Sequence, residues 1–580
     1  MVRFTRKPGL PYNSGSHQPG EVNLRIAERL KITLTLSLFL FSVSCSGIST
    51  AGVETPPTST APEPTLTQPT PNIEEPALFI SEGVPEDWLS KISDFPDITV
   101  TANKEQANLL LTTQIGKTEE SPVFVSTRVY AVVVPFFTVR DEISSTNLKA
   151  LWSGNEVEGQ HQSIAASGET LRVLSAVWGK PGNSVQALSP EGLLAFCEGN
   201  PEALAILPFE ALTPRWKVLR LDGLSPLDKP LAEDQYPLTI RISLLSRLTD
   251  QALTSAVVEH FSNALPVTNR DESKMTVLMM TGTTAITRVL AYKISINGMD
   301  YPIAAVEDWF VDADLKHVSN ESPLVEGCPV ADEFSSSLVF CTPPDMIEVL
   351  ELLGINVIEL TGNHINDYGA ENLEYTLKAY QDRGWHVYAA GNTVEEARKP
   401  VLIESNGNKV AFIGCNAVGP ATVFANEHRA GAAECDFEYL TREIQDLKQK
   451  GYVVITTYQH EEEENLMYFE KISQDFQQAA EAGADIVQGS QAHSPMGFEF
   501  VGDNLIHYGL GNFLFDQMVE WNRREFIDRH IIYDGEYIST ELLTAMLVDW
   551  SRPTPMSKDE RTELLEEIFT ASLKRKNENK

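Results

Sequence analysis

The sequence predicts an α/β protein of two successive domains set behind an export leader and a spacer. Three observations carry this. Short apolar β-like runs alternate with helical patterns along most of the chain. A polar stretch, Pro266 to Lys274, interrupts that alternation. At 580 residues the chain also exceeds the length over which one hydrophobic core keeps growing.

The leader, residues 1–45, holds the one long apolar run near the N-terminus, Ile32 to Val43. Arg25, Arg29 and Lys31 precede it and small residues follow it to Cys45. This is the layout of an export signal, and the run is shorter than the roughly 20 residues that cross a bilayer core. Ser42-Val43-Ser44-Cys45-Ser46 resembles a bacterial lipobox, with Ser42 where an aliphatic residue is usual. The resemblance implies acylation of Cys45 and a lipid-anchored protein on the extracytoplasmic face of the cell membrane; ordinary signal cleavage or an uncleaved anchor is the alternative. Residues 46–75 are rich in Pro, Thr, Ser and Glu and read as a spacer.

The first domain, 76–265, contains the run Ala77 to Ile80, the β-branched and aromatic run Val129 to Phe137, a helix near Ser144 to Trp152 and the segment from Leu171. Residues 128–154 and 204–223 resemble parts of a phosphate-type solute-binding domain. That implies a smaller α/β unit, either a binding or a vestigial interaction domain. The second domain, 274–550, runs through strand Val277 to Gly282, helix Pro344 to Leu353, strand Asn356 to Gly362, helix Glu371 to Arg383, strand Lys409 to Gly414, helix Phe437 to Lys450, strand Val453 to Tyr458, helix Phe476 to Ala482 and strand Ala484 to Ser490. Met279 and Met280 read as core filling. The tail, 551–580, is a charged helix.

Charge and cysteines bound the function. A formal net charge of −36 repels phosphate backbones, so nucleic acid is not an expected partner. In an oxidising compartment the cysteine spacings suggest Cys328 with Cys341 and Cys415 with Cys435, leaving Cys197 free. No Cys-x-x-Cys pair, Gly-x-Ser-x-Gly elbow or Walker loop is present.

Four segments place polar residues where strands run out: Glu359 to Gly369 with Gly362-Asn363-His364, Val453 to Glu464, Gly483 to His493, and Leu505 to Asp516. In this order they resemble the CapA family of poly-γ-glutamate capsule proteins, relatives of metal-dependent phosphoesterases. The resemblance covers about 275 to 535, and Glu525 to Thr544 looks like an extension found in an exported subgroup. It implies a four-layer α/β/β/α metallophosphoesterase-like sandwich and a role in making or processing an anionic surface polymer. The partners it implies are that polymer or polymer-assembly proteins.

Carried over residue by residue, the pattern is incomplete. Thr283 stands where the family's Asp ligand belongs and Tyr458 where a strand-end His belongs, while the last motif keeps only His493. Glu321, Asn363 and His364 match. A two-metal site needs several carboxylate and imidazole donors to hold cations about 3.5–4 Å apart. The expectation is therefore one divalent metal ion at most, on Glu321, Asn363, His364 and His493, with His364 and His493 as catalytic candidates and His460, Glu462 and Gln491 as auxiliaries. The bland readings are that both histidines only bond loops, that Glu461 to Glu464 is a solvated acidic turn, that Asn366 and Asp367 form turns, and that Asn512 fixes its own loop. Ser490 and Gln491 suit a polar ligand, and Arg288, Arg429 and Arg529 are candidates for offsetting an anionic polymer's charge. Two functions follow: a metal-assisted hydrolase or transferase, or a non-catalytic polymer-binding or assembly lipoprotein.

Overall fold

In a computed structural model the described residues are 75–578, apart from 94, 96–97, 117–119, 156, 158–162, 462–465, 467–469 and 491. Cys45, the leader and the spacer lie outside them, as do Glu462 and Gln491.

The first half is built on one nine-stranded sheet. Its axis is the 12-residue strand Phe124–Pro135, whose run of Val and Tyr suits a strand buried on both faces. At one end this strand pairs antiparallel with Thr239–Ser246, and at the other with Ala203–Pro208. Helices Ser145–Trp152 and Gly168–Trp178 start where Ser144 and Ser167 accept backbone N–H groups of the first turn.

The second half stacks two sheets. In one, His386–Tyr388, Val357–Glu359, Leu315–Asn320 and Met275–Thr284 lie side by side and parallel, and the antiparallel strands Arg524–Tyr533, Glu536–Val548 and Arg552–Pro555 extend it. In the other, Asn408–Asn416, Val453–Gln459, Ile486–Gly489 and Asn504–His507 are parallel, with antiparallel strands at both edges. The period-two alternation of side chains fixes the layers. Met279 packs outward on Leu290, Leu350 and Leu373, whereas its neighbours Leu278 and Met280 face Phe412 and Ile455 of the second sheet. Ala411, Ile413 and Val454 face outward against Ile444 and Phe476 of the helices on the far side. The order is helix, sheet, sheet, helix, as the resemblance implies, and both methionines are wholly buried.

Between the sheets lies a polar layer. His317, Glu359, His507, Asp528 and His530 are all buried. His507 Nδ1 is 2.6 Å from Asp528 Oδ2, His530 Nδ1 is 2.7 Å from Thr540 Oγ1, and His317 Nε2 is 2.8 Å from Tyr388 Oη.

The described chain packs as one compact unit, and the two halves share a core. Met275, Val277 and Ile531 belong to the apolar cluster of the first half. Phe136 meets Phe498 and Phe500 at ring-centre distances of 5.4 and 5.1 Å. Arg529 is not available to a ligand: it is buried, bonds Leu227 O and Asp312, and pairs with Glu541. The tail is likewise more than a charged helix. Lys558–Glu578 buries Leu564, Leu565, Ile568 and Phe569, and its Arg561 forks onto both carboxylate oxygens of Asp141 in the first half, at 2.7 and 2.9 Å. The cysteines pair as their spacing suggests, 328 with 341 and 415 with 435, and Cys197 is free and buried.

Candidate active site

The site residues sit where parallel strands run out, and two glycines let those ends approach. A Cβ on Gly282 would lie 1.9 Å from Gly511 O, and one on Gly362 would lie 2.9 Å from Glu321 Cα. The second contact brings the Glu321 and Asn363-His364 loops together. Glu321 is buried, and its Oε1 is 3.8 Å from His364 Nε2. Asn363 Oδ1 is buried with no hydrogen-bond partner.

His364 is held from behind. Its Nδ1 is 2.7 Å from Asp367 Oδ2, which also accepts Phe340 N–H at 2.7 Å, and its ring stacks on Phe340 at 4.0 Å. Fixing one ring nitrogen on a carboxylate sets the tautomer and aims the other. Asp367 therefore orients the histidine as well as shaping the turn. Asn366 acts as a loop tie, bonding Ala430 O at 3.1 Å.

His493 has a parallel arrangement. Its Nδ1 is 2.8 Å from Asn512 Oδ1 and its ring stacks on Phe515 at 4.9 Å. Asn512 also ties its own loop through Gln517 and Asn522. Phe340 and Phe515 meet edge to face at 5.8 Å, so the two histidines flank one aromatic pair. Arg288 lies over both rings, at 4.7 and 5.0 Å, and its guanidinium is paired with the buried Asp516. It braces the site and is not spare charge for a polymer. Arg429 is similarly spent on the carbonyls of Ala421 and Phe424.

Of the remaining expected residues, Thr283 lies at the adjoining strand end with its hydroxyl already engaged, and Tyr458 and His460 are turned away from this group. Thr283 is wholly buried and donates its hydroxyl to Ser490 O at 3.2 Å. Strand alternation turns Tyr458 outward onto Phe476, where burial pushes its hydroxyl pKa up. His460 follows it, with Nε2 on Asp475 and Nδ1 accepting Glu461 N–H, both at 2.8 Å. Both ring nitrogens of His460 are thus engaged by these partners. Gln459 is the inward residue at this strand end, accepting from Asn416 Nδ2 at 3.0 Å. Sequence reasoning missed Phe340, Phe515 and Asp516; an aromatic residue just before Cys341 and another just before Asp516 were the available signals.

Residues 277–517 match the family model described as bacterial capsule synthesis protein PGA_cap. Over this region the chain is similar to the CapA family. It is 27% identical over 276 residues to the capsule biosynthesis protein CapA of Bacillus anthracis, covering 46% of this chain and 65% of that one. It is 25% identical over 222 residues to the PGA biosynthesis protein CapA of Bacillus subtilis (strain 168), covering 38% and 57%. The chain thus spans less than two thirds of the length of either relative. Among solved structures, a phosphate transport receptor from Vibrio cholerae aligns at 12% identity and a TM-score of 0.26, covering 32% of this chain and 93% of the receptor. A 5'-nucleotidase precursor from Thermus thermophilus aligns at 15% and 0.30, covering 51% and 58%. The layer order of the CapA-type domain stands on its own packing.

A two-metal centre does not fit the CapA-type domain. Among the described residues no three His, Cys, Asp or Glu groups converge as a metal ion requires, and the Thr283 hydroxyl is turned onto a carbonyl. The donors the structure does place near each other are Glu321 Oε1 and His364 Nε2, 3.8 Å apart, with the unpartnered Asn363 Oδ1 next to His364 in the chain.

Proposed function

We propose that this chain acts at the outer face of the cell membrane in the biosynthesis or processing of an anionic, poly-γ-glutamate-like surface polymer. The observation that carries the reading is His364, oriented by Asp367 and stacked on Phe340, with its second nitrogen facing the buried Glu321. An imidazole so held moves a proton to or from a polymer amide, the usual work of a general acid or base. Glu321, Asn363, His364 and His493 would hold a single divalent cation, which when bound supplies charge neutralisation for polymer carboxylates. His493, fixed by Asn512, binds the polymer beside it.

The second reading is a polymer-binding or assembly protein without catalysis. It is favoured by the Thr283 hydroxyl bonded to Ser490 O, a closed contact at the strand end where the family pattern places a ligand. Incubation of the purified protein with poly-γ-glutamate separates the two. Catalysis shortens the polymer or transfers its ends, and His364→Ala lowers the rate by about 10²–10⁴, the range that a positioned acid or base contributes. Binding without cleavage, lost in His364→Ala, leaves the assembly role. A protein that neither binds nor alters the polymer sinks both.

The membrane attachment is proposed through acylated Cys45. Among the described residues no helix is long and apolar enough to cross a membrane. Cys45→Ser should shift the protein from the membrane to the soluble fraction, and unchanged retention removes the lipid anchor from the proposal.

A further inference from the structure

The two histidine loops belong to different sheets. His364 follows strand Val357–Glu359 of one, His493 follows strand Ile486–Gly489 of the other, and these strands are not paired. The backbone route between them is indirect: Pro495 bridges Leu510, and Gly511 and Asn512 in turn pair with Glu525 and Thr283 of the first sheet. At the strand ends themselves, side chains make the direct link.

Glu359 is the residue placed to do it. It is the last residue of its strand and is wholly buried, and one of its oxygens, Oε1, receives two hydroxyls. Thr361 Oγ1 donates at 2.5 Å from within its own loop, two residues before Asn363. Ser490 Oγ donates from across the sheets, three residues before His493. Thr361 and Ser490 are themselves buried. The other oxygen, Oε2, is 3.5 Å from His317 Nε2, and that nitrogen is 2.8 Å from Tyr388 Oη. Burial and the Glu359 carboxylate hold the Tyr388 hydroxyl pKa well above its ordinary value, so this neighbour stays a donor.

Hydroxyl bonds to a carboxylate are shorter and stronger than those between neutral groups, and burial of all three residues strengthens them further. The Glu359 contacts are thus a charge-assisted side-chain link between the loops. Asn416 Nδ2 to Thr361 O, 2.8 Å, and Thr283 Oγ1 to Ser490 O, 3.2 Å, are neutral bridges at the same floor.

We propose that Glu359 is a positioning residue that sets the separation of the His364 and His493 loops by binding Thr361 and Ser490 through a single carboxylate oxygen. It touches neither histidine and acts only through the loops. This deepens the site reading proposed above, since it names what holds the two imidazoles in register.

The test is made on the full-length protein without polymer, so failure of the functional reading leaves it standing. Histidine side-chain NMR resonances and amide exchange are compared in the parent, Glu359→Leu, Glu359→Gln and Ser490→Ala. Glu359→Leu should move the His364 and His493 resonances together and speed exchange in residues 361–364 and 489–493 by at least about tenfold, the factor that one hydrogen bond of upper ordinary strength represents. Glu359→Gln keeps an acceptor for both hydroxyls and should restore most of the parent pattern. Ser490→Ala removes the cross-sheet arm together with the weaker 3.3 Å hydroxyl contact to Tyr458 O, retains the fold if Glu359→Leu does not, and should speed exchange in 489–493 and move the His493 resonance. Unchanged histidine resonances and exchange in Ser490→Ala overturn the proposal. A Glu359→Gln protein as disturbed as Glu359→Leu also overturns it, because the buried charge and not the shared acceptor would then be the cause.

Discussion

Lowering the pH from 7 to 4 is expected to cost the protein roughly 3 kcal/mol through one buried side chain, His530. Burial pushes its pKa down from 6.5 to about 4, against the opposing pull of Asp528, while His507 and His317 push it further down. An unfolded chain takes up this proton near its ordinary value and the folded chain does so only near 4. Between those values the unfolded state holds more protons, so stability is complete above about pH 6.5 and is lost as the pH falls toward 4. The surroundings offer little relief: Thr540 and Tyr537 face His530 from the neighbouring strand, and Asp528 is already bonded to His507. Denaturant unfolding at pH 7.5, 6.5, 5.5 and 4.5 measures the slope. His530→Asn, which keeps a polar partner for Thr540, should remove about one proton from it. An identical slope in the variant would show that another group carries the acid sensitivity.

This layer also marks where sequence reading stopped. The alternation of apolar runs identified the strands and helices and left Met279 and Met280 legible as core, whereas the helix, sheet, sheet, helix order was what the CapA resemblance implied. Gly282 and Gly362, which let strand ends touch, lay inside recognisable motifs, and the family pattern carried over onto Glu321, Asn363 and His364. Tyr458 shows how position in a motif misleads. Period two over Val453–Gln459 places Ile455, Thr457 and Gln459 inward and Tyr458 and His460 under a helix, a signal present in the sequence and outweighed by the motif. Asp367 was visible only as a turn former, because its bond to His364 depends on how that turn closes. Phe340, Phe515 and Asp516 come from irregular segments brought in by Cys341 and Gly511, without periodicity of their own. The seam was least legible of all. Arg561 and Asp141 are far apart in sequence, and nothing local in a charged C-terminal helix announces that its apolar face completes a distant core.

The substitution expected to change the site most is Thr283→Asp. Thr283 is wholly buried at the end of Met275–Thr284, beside Ser490 O and next to Thr284, whose carbonyl accepts Glu321 N–H at 2.8 Å. An Asp side chain there loses the hydroxyl donor and sets a carboxylate against a carbonyl oxygen, with the Glu321 strand end alongside. An unpaired charge in such surroundings costs on the order of 3–5 kcal/mol, so the variant's thermal midpoint in chelator should fall by many degrees. A divalent cation reverses the sign of the effect, since a new hard oxygen donor near Glu321, Asn363 and His364 raises the affinity for Mg²⁺ or Mn²⁺. The variant should therefore recover its midpoint saturably as Mn²⁺ is added, whereas the parent should shift little. Thr283→Val is the control: it removes the hydroxyl alone and should cost about 1 kcal/mol with no response to cation. A Thr283→Asp protein whose midpoint is the same in chelator and in Mn²⁺ would show that Thr283 does not face the Glu321 and His364 loops. In that case the strand ends do not enclose one cleft.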